Sequence, residues 1–149
     1  MRELGALLVE LDKLNVYSQA RALKKIIPVD GKMTGDTAST LQTRCALITA
    51  ELSELHAKAE YYAEKAKRLR DDCLTDKTAL SQEKSEAAKQ REAKSSEEYR
   101  KLADERVVAK VLLNHLTSYK KFFDNMVYVM RSKQDKEARD WQSTPTSEA

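Results

Sequence analysis

The stretch LQTRCALITAELSELHAKAEYYAEKAKRLRDDC, residues 41–73, decides the fold. Within it Leu41, Cys45, Ile48, Leu52, Leu55, Ala59, Tyr62, Ala66, Leu69 and Cys73 alternate steps of four and three without a miss. That spacing keeps one apolar stripe on a single face of an α-helix and is the signature of a coiled-coil seam. No Gly or Pro follows Gly35 until Pro145, so nothing in the backbone forbids a very long helix.

A second seam lies downstream. Ala109, Leu112, Leu116, Tyr119, Phe123, Met126 and Met130 repeat the three-four alternation after a weaker start at Tyr99 and Leu102. Val107, Val108, Val111, Leu113, Phe122, Val127 and Tyr128 widen its apolar face, which suits contact with more than one neighbour. The two seams are expected either to pair as an antiparallel hairpin or to extend and pair between subunits. Leu112, Leu116, Tyr119, Phe123, Met126 and Met130 are the residues expected to carry self-association.

Between the seams, Leu74 to Glu98 holds Ser, Lys, Glu, Gln and Ala, with Leu80 its main large apolar residue, and a polar hinge at about 75–97, a solvated helix or a mobile arm is expected. At the other end, Leu4, Leu7, Leu8, Leu11, Leu14, Leu23 and Ile26 mark a looser helical segment with a break expected around Asn15 to Ser18. Pro28 to Gly35 reads as a turn, after which Asp36, Thr37 and Ser39 are candidate helix caps. The organisation predicted is an N-terminal helical segment and turn over 1–35, a long-helix assembly over 36–140, and a disordered tail over 141–149 that contains Trp141. The fold class is all-α, with long amphipathic helices assembled as a homo-oligomer.

Composition supports this reading and excludes others. Of the 149 residues, 34% are charged and 6% aromatic, so apolar surface is enough for stripes but not for a thick core. Lys and Arg number 27 against 24 Asp and Glu, a net charge of +3, so distribution rather than total charge must identify any anionic partner. Cys45 and Cys73 fall on one helix about 42 Å apart, too far to pair within it. No apolar run approaches membrane-spanning length, and no export signal opens the chain, so a cytoplasmic location is expected. His56 and His115 are far apart, no Cys pair has ligand spacing, and no Gly-rich loop is present. No catalytic group, metal site or cofactor is expected, and Glu51 with Glu54 reads as a solvated face.

The most informative polar stretch is Lys58-Ala-Glu-Tyr-Tyr-Ala-Glu-Lys65-Ala-Lys67-Arg68-Leu-Arg70, with five cations and two carboxylates around a Tyr pair. Cations that hold phosphate beside rings that stack on bases suit single-stranded nucleic acid. Lys58, Tyr61, Lys65, Lys67, Arg68 and Arg70 are therefore the candidate DNA contacts. Two bland readings compete: Tyr62 belongs to the seam, and Glu64 can pair with Arg68 four residues on. Lys84, Lys89, Arg91, Lys94, Lys120, Lys121, Arg131, Lys133, Lys136 and Arg139 spread further positive charge over the middle and the last helix.

The helix ending in His56-Ala-Lys58-Ala-Glu60-Tyr61-Tyr62, the polar middle, and the block Glu97-Glu98-Tyr99-Arg100-Lys101-Leu102-Ala103 running into the second seam together resemble the UvsY-type recombination mediators of bacteriophages. The resemblance covers roughly residues 40–140. In that family a Lys-x-Arg pair before an acidic-Tyr-Tyr element contributes to binding single-stranded DNA. Here Lys58 falls on the Arg position and His56 stands in place of the Lys. The resemblance implies a ring-shaped homo-oligomer that binds single-stranded DNA, weakens the hold of single-strand-binding protein, and helps a RecA-like recombinase to load, in the host cytoplasm if phage-encoded. A protein-only coiled-coil adaptor, scaffold or tail-assembly chaperone is the alternative.

Overall fold

A computed structural model describes residues 2–26 and 33–143, without the side chains of residues 2, 3 and 141–143. Five helices occupy this span: α1 (Arg2–Leu14), α2 (Val16–Ile26), α3 (Gly35–Leu80), α4 (Glu86–Ser95) and α5 (Glu97–Ser143). There is no strand among the described residues. The expected turn before Gly35 falls largely, and the tail beyond Ser143 wholly, outside the described residues.

Local chemistry explains where the helices stop. Asn15 has a φ of 47°, a left-handed conformation that Asn tolerates better than most side-chain-bearing residues. It separates α1 from α2, inside the window expected from sequence, and Gln19 seals the joint by donating to the Leu14 carbonyl at 2.6 Å. The cap of α3 is Thr34, earlier than the three expected candidates. Its carbonyl accepts from the Ala38 amide at 2.9 Å, and its hydroxyl accepts from the Thr37 amide at 3.4 Å.

The chain divides into two compact units, one of Met1–Val9 with Leu55–Thr117, the other of Glu10–Glu54 with Ser118–Ala149. In the first, α3 and α5 touch through His56 and Thr117 and through Lys77 and Glu98. Residue numbers fall along α5 as they rise along α3, so the helices are antiparallel and the two seams meet within one chain. The core here is thin: Leu55, Ala59, Ala66 and Cys73 from α3 and Ala109, Leu112 and Leu116 from α5 are buried, with Leu7 of α1 and Ala93 of α4 added. Leu69, expected in the seam, is 46% exposed. The antiparallel register sets its level on α5 near Arg106, between Leu102 and Ala109 of the second stripe.

The second unit is filled by larger side chains. Leu41, Cys45, Ile48 and Leu52 of α3, Phe123 and Met130 of α5, and Val16 and Leu23 of α2 are buried, and Phe123, Leu23, Leu52 and Met130 have almost no exposed surface. A side chain added at Gly35 would come within 2.7 Å of the Glu137 carboxylate, which places the first turn of α3 beside α5. The residues expected to carry self-association are thus divided: Leu112, Leu116, Phe123 and Met130 are buried by the chain's own packing, and Tyr119 and Met126 are half-buried.

The polar middle is mostly helical. α3 persists to Leu80, and only residues 81–85 leave the helix before α4. Serines punctuate the reversal: the Ser85 hydroxyl accepts from the Ala88 amide at 3.2 Å, capping α4. Ser96 ends α4 by donating through its amide to the Ala93 carbonyl, and starts α5 by accepting from the Tyr99 amide. Glu92 accepts from the Ser81 hydroxyl, and Glu98 holds the exposed Lys77 ammonium above the usual lysine range by hydrogen bond and charge.

Truncating a filled core should cost far more than truncating the misplaced seam residue. Phe123→Ala is expected to lower unfolding free energy by about 3–5 kcal/mol, against under about 1 kcal/mol for half-exposed Leu69→Ala. Urea unfolding followed by circular dichroism measures both, and equal losses would contradict the packing. Cys45 supplies a probe of the same seam. Burial pushes its thiol up from the ordinary value, with Arg44 partly opposing. The fold therefore favours the neutral thiol, and this contribution is complete below the ordinary thiol pKa and lost as pH rises through the higher folded value. At pH 8, iodoacetamide should alkylate Cys45 at least about tenfold more slowly in the native protein than in urea. Mass spectrometry of the Cys45 peptide reads the rate.

Candidate nucleic-acid interface

The polar face of α3 in the first unit is built on the same heptad as its core. Leu55, Ala59, Tyr62, Ala66 and Cys73 turn towards α5, and on the same face as one another, each one residue before a seam position, stand Glu54, Lys58, Tyr61, Lys65 and Arg68, of which Lys58 to Arg68 form a basic-aromatic stripe. At about 100° per residue these four side chains span roughly 80° of the helix circumference. The stripe ends at Asp72, the next position on the same face.

Tyr61 is the exposed ring of the pair, at 64%. It meets Tyr62 edge to face, with centroids 5.5 Å apart and planes at 67°. Tyr62 is half-buried in the seam, so the core braces the exposed ring from behind. Lys58 and Lys65 are half-buried and are engaged within the chain. Arg68 is exposed and forms no ion pair among the described residues.

The other two expected contacts point elsewhere. Lys67 projects roughly 180° from Lys58 and Arg70 about 120° from it. Each sits beside a carboxylate: Lys67 lies 3.9 Å from Glu64, and Arg70 bonds its neighbour Asp71. The single patch expected from the linear sequence is therefore a stripe of four residues with two neutralised cations on other faces.

His56 has a structural position. Its Nε2 lies 3.0 Å from the Thr117 hydroxyl, which itself donates to the Leu113 carbonyl at 2.8 Å. Because that hydroxyl proton is committed, Nε2–H is the donor to Thr117. His56 thus ties α3 to α5.

Among the described residues no three His, Cys, Asp or Glu side chains gather as a metal site, and no helix is long and apolar enough to cross a membrane. Comparison with known protein families, with curated proteins and with solved structures finds no match to this chain.

Proposed function

We propose that this chain is a non-catalytic mediator of recombination that binds single-stranded DNA, acting as a homo-oligomer that helps a RecA-like recombinase displace single-strand-binding protein. The observation that carries the reading is the stripe Lys58, Tyr61, Lys65 and Arg68, which lines up three cations with an exposed, braced ring. The cations hold phosphates without reading sequence, and the ring offers a face to any base. No bond is made or broken. One stripe is weak, so function depends on several copies acting on one strand, where each contact raises the effective concentration of the next. Weak individual contacts also let the strand pass to a recombinase. The buried part of the α5 seam serves the monomer, so association would use apolar surface left outside, such as Val107 and Val111 at 60% and 49% exposure. The same exposed pair favours the adaptor reading if DNA is not bound.

Anisotropy of a fluorescein-labelled oligo(dT), titrated with the full chain at several salt concentrations, tests the proposal. Lys58→Ala/Lys65→Ala/Arg68→Ala should weaken binding at least about tenfold and reduce the salt slope by roughly 2, at about 0.7 per lost phosphate contact on single strands. Lys67→Ala/Arg70→Ala, removing cations that face acids, should stay within about twofold of the native protein. An unchanged affinity in the triple variant would move the interface off α3. No binding of the native chain even at low salt leaves the protein-only adaptor.

A further inference from the structure

A second grouping of rings and cations arises in the other unit, where no single segment of sequence displays it. Tyr17, Ala20, Arg21 and Lys24 lie on one face of α2 at helical spacing, and Ser118, Tyr119 and Phe122 face them from α5. Together they line an open groove of about 520 Å³, within the range of small-molecule sites, roughly 300–1,000 Å³.

Its chemistry is one-sided. Three aromatic rings and two cations contribute to the lining, and no carboxylate does. Neither parent segment supplies one: α2 contains Arg21, Lys24 and Lys25 without an acid, and residues 118–122 contain Lys120 and Lys121 without an acid. Arg21 and Lys24 form no ion pair among the described residues, in contrast to Lys67 and Arg70 on α3. The Lys24 ammonium lies 5.6 Å from the centre of the Phe122 ring. That contact fixes the position of the ammonium while leaving its full charge available, since a ring face carries no net charge to neutralise it. Tyr17 is 66% exposed, a ring held at the mouth of the groove.

A neutral apolar ligand would leave both cations without use, and a simple anion would leave the rings without use. We infer that the groove between α2 and α5 binds a phosphate-bearing aromatic base, with Tyr17 or Tyr119 stacking on the base and Arg21 and Lys24 holding the phosphate. The ligand is either a base–phosphate unit of a single strand or a free nucleotide. This shares the ligand chemistry of the proposed function but none of its residues, so either site stands without the other.

Ultraviolet cross-linking of the full chain to an oligonucleotide bearing 5-iodouracil, followed by peptide mapping, separates the two sites. Cross-links are expected on the peptide containing Tyr17 or on that containing Tyr119. Cross-links confined to the Tyr61 peptide would overturn the groove while sparing the α3 stripe. Titration with thymidine monophosphate, followed by nuclear magnetic resonance shifts of the Tyr17 and Phe122 rings, distinguishes the sources: saturable shifts with the mononucleotide indicate a nucleotide site, and shifts only with the oligonucleotide indicate a strand contact. No shift with either overturns the inference. Tyr17→Ala, exposed and outside the core, is expected to weaken the responding ligand about tenfold. Arg21→Ala/Lys24→Ala should flatten the oligonucleotide salt slope by about 1.4. Unchanged binding in both variants, with native circular dichroism, would also overturn it.

Discussion

Everything in this structure depends on seam-to-seam burial between α3 and α5. A chain with so few large apolar residues can hide them only by placing them at steps of three and four and matching two such stripes face to face. Antiparallel pairing achieves this inside one chain, with serines supplying the hydrogen bonds where the backbone reverses between Leu80 and Glu97. Short helices α1, α2 and α4 add Leu7, Val16, Leu23 and Ala93 to the buried residues, and the rest of each long helix is largely polar. The polar faces can then carry charge patterns that the fold does not constrain.

The seams differ in what they bury. Beside the Lys58 to Arg68 stripe Ala59, Ala66 and Ala109 alternate with Leu55, Leu112 and Leu116 in the core, and Leu69 is partly exposed. In the other unit Leu41, Ile48, Leu52 and Phe123 fill the space. Small side chains bury little area, so Ala59, Ala66 and Ala109 add less to the pairing than Leu55, Leu112 and Leu116 beside them.

Periodicity made the seams legible to a single residue, because burial and helical spacing are two expressions of the same geometry: nearly every alternating position from Leu41 to Cys73 is buried. Leu69 departs, and its exposure depends on the residues of α5 at its level, which its own segment does not contain. The break at Asn15 was legible as a loss of apolar rhythm, whereas the cap at Thr34 was not, since Asp36, Thr37 and Ser39 offer equivalent oxygens nearby. The basic patch was legible in composition but not in direction. Lys67 and Arg70 lie between Lys65 and the seam's end in sequence, yet on other faces in space, and only the helix rotation separates them from Lys58 and Arg68. The groove between α2 and α5 had no linear signal at all, since Tyr17 and Tyr119 belong to segments about a hundred residues apart.

The two basic-aromatic sites illustrate two ways for a thin helical protein to acquire affinity for an anion. On α3 the helix surface is convex, Lys67 and Arg70 sit beside carboxylates, and Lys58 and Lys65 are half-buried and engaged within the chain. Affinity there can come only from repetition. Between α2 and α5 the surface is concave and its lining is free of acids, with Arg21 and Lys24 themselves exposed. As proposed, a single copy of the groove would hold one base and its phosphate, whereas the stripe would need several copies to hold a strand. If both act on the same nucleic acid, the groove fixes a nucleotide while the stripe follows the backbone. Tight, local contact and loose, extended contact then come from different helices and can be altered independently.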